Sequence, residues 1–118
     1  MKYSLTIEVP TEATDSNRIL GVNKYAKHEL FQKIKRQVHF LVHDKKPEKP
    51  LELFKISVTR HGSKCLDYDN FIASLKPWID SLVRSGIIID DSWKYLKSIA
   101  TNQVISKEKK LIITVEEL

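Results

Sequence analysis

With 118 residues, of which 42% are apolar and 30% charged, the chain has room for one globular domain and one core. It contains no run of about 18 apolar residues, which excludes a helical membrane span, and its single cysteine, Cys65, excludes an internal disulfide framework. Lys and Arg number 20 against 15 Asp and Glu, a net +5 that suits a polyanionic partner.

In chain order, Tyr3, Leu5, Ile7 and Val9 alternate with polar residues, so 2–9 reads as a half-buried strand closed by Pro10 and not as a secretory signal. Without an export signal, and with a lone cysteine, a reducing cytoplasm is the expected location. Thr11 to Asn23 is polar, contains Gly21 and reads as a long loop. From about Lys24 to His43 the apolar residues Leu30, Phe31, Ile34, Val38, Leu41 and Val42 fall at helical spacing, while His28, Lys35, Arg36 and His39 make the other side basic. Asp44 to Pro50 is a charged linker with two prolines. Phe54, Ile56 and Val58 then alternate with Lys55, Ser57 and Thr59 in a second strand, which runs into a basic turn, Arg60-His61-Gly62-Ser63-Lys64.

Beyond Asp69, the residues Phe71, Ile72, Leu75, Trp78, Ile79, Leu82 and Val83 share one face of a second helix over 69–85. Asp69 suits its N-cap and Gly86 its C-terminal stop. Pro77 removes the bond to the Ala73 carbonyl, so a kink is expected there. Residues 94–105 and 111–117 read as two strands joined by the charged turn Ser106-Lys107-Glu108-Lys109-Lys110. The order β-α-β-α-β-β describes one α+β domain over 1–118, two main helices on a small mixed sheet.

The segment 66–91 is chemically distinct from the rest. Its five aspartates (67, 69, 80, 90 and 91) outnumber Lys76 and Arg84, so it carries −3 and leaves +8 elsewhere. In an extended chain Asp67 and Asp69 point to one side, roughly 6–7 Å apart. Two carboxylates held so close repel unless a cation lies between them, and a third returning from the far end of the helix would complete a hard-oxygen site for Mg²⁺. Capping and turn formation are the plain alternative for an isolated D-x-D. The helix itself separates its ends by about 24 Å. Asp91 can therefore join Asp67 only if the chain turns back along the helix, with 87–89 as a short buried strand, or if the carboxylates come from two subunits. Both routes are open at the level of sequence.

His28, His39, His43 and His61 lack zinc spacing, and Cys65 has no paired base. Trp78 reads as core. Trp93, just past Asp91, reads as core as well, its other use being to stack on an unpaired base.

The run D-x-D-N at 67–70, a helical lysine, D-x-L at 80–82, then glycine, an apolar stretch and D-D at 90–91 resembles the RusA family of Holliday-junction resolvases. A looser likeness lies in Asn23-Lys24-Tyr25-Ala26-Lys27-His28, similar to a segment that opens the first helix in some members. The resemblance implies Mg²⁺, with Mn²⁺ as the alternative, held by Asp67, Asp69 and Asp91, with Asp90 as a substitute ligand. It also implies a lysine required for cleavage. The well-known members carry that lysine where this chain has Ala73, and Lys76 follows one helical turn later, beside Asp80.

The expectation is thus a Mg²⁺-dependent endodeoxyribonuclease that resolves four-way DNA junctions by paired symmetric nicks, in recombination and repair. Asp67, Asp69, Lys76 and Asp91 would be its catalytic set. Arg60, Lys64, Lys35 and Arg36 would contact backbone phosphates. A homodimer with one site per subunit suits the two-fold symmetry of the junction. The alternatives are an inert junction-binding protein that retains the acidic pocket, and a structural domain whose aspartates only cap and turn.

Overall fold

The computed structural model describes residues 2–10 and 24–118, with side chains from His28 onward in the second of these. The elements are β1 (Ser4–Pro10), α1 (Lys24–Val42), β2 (Phe54–Gly62), α2 (Tyr68–Ser74), α3 (Lys76–Arg84), β3 (Leu96–Ile105) and β4 (Lys110–Glu117). They make the expected α+β arrangement, with a four-stranded mixed sheet in the order β1-β4-β2-β3. The segment Thr11 to Asn23, expected as a loop, lies outside the described residues, as does the start of the Asn23–His28 likeness.

Strict alternation builds the sheet. Leu5, Ile7 and Val9, then Phe54, Ile56 and Val58, then Leu111, Ile113 and Val115 turn to one face, where all are buried. Ile34, Val38 and Val42 of α1 and Phe71, Leu75, Trp78, Ile79 and Leu82 of α2 and α3 close over that face. Strands β1 and β4 pair antiparallel, as do β4 and β2, whereas β2 and β3 are parallel. A parallel pair needs a crossover, and α2 with α3 supplies it. Strand β3 stands at the edge and adds only Leu96 to the margin of the core.

Two expectations about the second helix change. Pro77 does more than kink it: the helix breaks into α2 and α3 around Leu75. Leu75 N donates to Ile72 O at 3.1 Å in a tightened turn, and the normal pattern resumes with Ile79 N to Leu75 O at 3.0 Å. The N-cap position falls on Asp67, not Asp69, and Asp69 lies inside the first turn. The stop is as expected, with Ser85 as C-cap and Gly86 at φ +81°, a conformation that favours glycine. No helix among the described residues is long and apolar enough to cross a membrane.

Candidate active site

The D-x-D loop is held to the sheet by two side chains that neighbour each other across β2 and β3. Arg60 and Gln103 are register partners. Arg60 Nη1 donates to Lys64 O at 2.7 Å. Gln103 accepts from Leu66 N at 2.8 Å and donates to Leu66 O at 2.9 Å, closing both backbone groups of the residue before Asp67. Gly62 makes room for the arginine, since a Cβ there would lie 2.9 Å from Nη1. Strand β2 therefore continues through Arg60, His61 and Gly62, which were expected in a turn. Arg60, 9% exposed, clasps a loop in this conformation and its guanidinium is withheld from a phosphate. Sequence reasoning missed Gln103 altogether.

Asp67 (φ −58°, ψ 151°) and Asp69 are exposed at the head of α2, with the exposed ring of Tyr68 between them. Because Asp69 is helical, the extended-chain alternation that set the two carboxylates on one side does not apply to it. Its Oδ1 instead accepts from Asn70 N at 3.0 Å. Likewise Asp90 Oδ1 accepts from Asp91 N at 2.9 Å. Among the described residues, Asp67, Asp69, Asp90 and Asp91 have no ion-pair partner; the salt bridges there involve other carboxylates.

The two acidic segments lie at opposite ends of the sheet. Leu66 is tied to Gln103 near the C-terminal end of β3. Asp91 precedes Ser92, whose carbonyl accepts from Tyr95 N and Leu96 N where β3 begins. Gln103 and Leu96 are seven residues apart, which is roughly 23 Å of strand. The cause is the crossover: α2 and α3 carry the chain from the far end of β2 back to its start. There 87–89 runs beside Leu51, with one parallel bridge from Leu51 to Ile88. Of the 87–89 stretch, Ile87 and Ile88 are buried but Ile89 is 40% exposed, and the segment does not return Asp91 to Asp67. Consistent with that separation, no three His, Cys, Asp or Glu side chains among the described residues gather closely enough to hold a metal ion. Asp67, Asp69 and Asp91 of one chain in this conformation do not fit a single Mg²⁺.

Lys76 opens α3, exposed, with its Nζ 3.6 Å from Asp80 Oδ1. Lys35 and Arg36 line a shallow cleft of about 810 Å³ between α1 and the end of α3, with His39, Phe40, His43 and Arg84. No carboxylate lines that cleft. Lys64 stands apart from it, exposed on the D-x-D loop. Trp78 is core as expected, but Trp93 is not: it is 85% exposed, with Lys97 Nζ 5.9 Å from its ring centre. Neither the protein-family models nor the curated proteins contain a match to this chain.

Proposed function

We propose that the chain is an endodeoxyribonuclease of RusA type that resolves four-way DNA junctions by paired symmetric nicks, in recombination and repair in a reducing cytoplasm. The observation that carries the proposal is the acidic segment. Among the described residues its exposed Asp67, Asp69 and Asp91 and the half-buried Asp90 stand without ion-pair partners, and the chain outside 66–91 carries +8. Unneutralised carboxylates in a basic body favour a cation and a polyanion together. The proposed cation is Mg²⁺, or Mn²⁺, with Asp67, Asp69 and Asp91 as donors and Asp90 as substitute. Those donors are apart in the single chain, so their assembly is an added requirement.

The chain's own residues have defined work in this proposal. Lys76 can leave Asp80 for a phosphate oxygen at small cost, because so exposed a pair is worth about 1 kcal/mol or less. Lys35, Arg36 and Arg84 on one side, and Lys64 on the other, neutralise backbone phosphates. Tyr68 and Trp93 offer exposed ring faces to unpaired bases. Arg60 and Gln103 keep Asp67 in place. Two opposed nicks call for a C2 homodimer.

Asp67→Asn, Asp69→Asn and Asp91→Asn test this on a labelled four-way junction. Nicking should fall about 100-fold or more, while junction affinity holds or rises as repulsion of the phosphates is relieved. Unchanged nicking would remove these residues from the site. The separation of the acidic segments favours a second reading, an inert junction-binding protein, in which junction affinity persists and no nicking occurs with any divalent cation.

A further inference from the structure

We infer that β3 is the surface through which two copies of this chain join, paired antiparallel about a two-fold axis at Asn102. The inference deepens the proposed function by naming its dimer surface, yet its support is β3 alone.

Strand β3 presents ten residues along a sheet edge that no other strand among the described residues covers. Edges left in water are normally blunted by charge, proline, bulges or brevity. The opposite edge follows that rule: β1 ends in Pro10 and carries Glu8, which is paired to Lys110 at 3.3 Å. In β3 the stretch 98–105, Ser-Ile-Ala-Thr-Asn-Gln-Val-Ile, has no charge at all in a chain that is 30% charged. Three of its apolar side chains face solvent, with Ile99 38%, Val104 36% and Ile105 64% exposed.

The order of these residues is symmetric. Around Asn102, Thr101 and Gln103 are polar, Ala100 and Val104 apolar, and Ile99 and Ile105 apolar. An antiparallel pair centred on Asn102 sets Ile99 against the partner's Ile105 and Ala100 against the partner's Val104. Ile99 and Ile105 share the helix-covered face, because their register partners are Ile56 and Gly62, whereas Ala100 and Val104 share the open face. Both faces are thus matched by one operation, the requirement of an isologous interface. Lys97 and Lys107 oppose each other at the two limits, confining the pairing to the uncharged stretch. Gln103 sits one residue from the axis, so the two D-x-D loops it holds would flank that axis. Antiparallel pairing also runs the end of one β3 that follows Asp91 alongside the end of the other that holds Leu66.

Cross-linking of the full chain tests the register. In a Cys65→Ser background, needed because Cys65 is exposed, Asn102→Cys should oxidise to a covalent dimer, since residues facing across the axis approach to about 4.5–5.5 Å. Ile99→Cys should not, because its copies lie about 20 Å apart. In sedimentation equilibrium, Ile99→Glu alone and Ile105→Lys alone should each weaken the dimer at least about tenfold, and the double variant should restore it through complementary charges. Added salt should tighten the wild-type dimer by screening Lys97 from Lys107, whereas it weakens binding to DNA. A wild-type chain that is monomeric at about 100 µM overturns the inference. So does cross-linking at position 99 as readily as at 102. A monomer that nicks junctions defeats this inference and the homodimer of the proposed function while leaving the nuclease activity standing, and a dimer that never nicks defeats the nuclease proposal alone.

Discussion

Replacing Gln103 by alanine removes two hydrogen bonds to Leu66, at 2.8 and 2.9 Å, that span 37 residues of sequence. Each is worth about 1 kcal/mol net, so the loss should be about 2 kcal/mol if the loop stays ordered in both proteins. For a domain of this size that lowers Tm by roughly 8 °C with an unchanged denaturant m-value. The local effect is sharper. The Leu66 amide, left without its acceptor, should lose nearly all its protection from hydrogen exchange, while amides in the middle of β2 and β4 lose only about 30-fold, the factor corresponding to the global change of about 2 kcal/mol. Gln103→Glu gives a graded control, because its carboxylate still accepts from Leu66 N but cannot donate to Leu66 O. About half the effect is expected. Junction nicking should fall in the same order, since Asp67 is the next residue after the clasped one. Leu66 protection left intact in Gln103→Ala would refute the clasp and make Gln103 an ordinary strand residue.

Lys76→Ala should change stability by no more than about 0.5 kcal/mol, because its pair with Asp80 is exposed, yet should abolish nicking. Equal losses of stability and nicking would mean that Lys76 acts through the fold. Tyr3 tests the alkaline limb of stability. Its hydroxyl donates to Lys45 O at 2.6 Å, and burial raises its pKa above the usual 10.0. A raised folded-state pKa means that this contribution is complete below the unfolded pKa, near 10, and is lost as pH rises through the folded value. Wild-type stability should therefore fall more steeply above pH 10 than that of Tyr3→Phe, and parallel curves would contradict the assignment.

The elements with strict periodicity were legible because burial on one face imposes it. Ile56 and Val58, or Ile113 and Val115, cannot exchange faces without a register slip. The same period places Arg60 on the buried face with Ile56 and Val58, so its withdrawal from solvent was available in the sequence but masked by a run of basic residues. The contact of Gln103 with Leu66 was not legible, since it depends on which strand lies beside β2. The separation of Asp67 from Asp91 has the same origin. Strand order decides whether the chain after α3 returns to the head of α2 or to the start of β2, and periodicity is silent on that choice. Trp93 lies between elements, where no repeat fixes a face, and it emerges exposed. The identity of Lys76 as a functional lysine rests on resemblance, whereas the structure gives its ion pair with Asp80.

The most direct test of the nuclease proposal is incubation of the purified chain with a labelled four-way junction and a matched linear duplex, with Mg²⁺ and with EDTA. Paired symmetric nicks in the junction alone, abolished by EDTA, are the expected result. Tight junction binding with no nick in Mg²⁺ or Mn²⁺ would contradict it and leave a protein that holds branched DNA without cutting it.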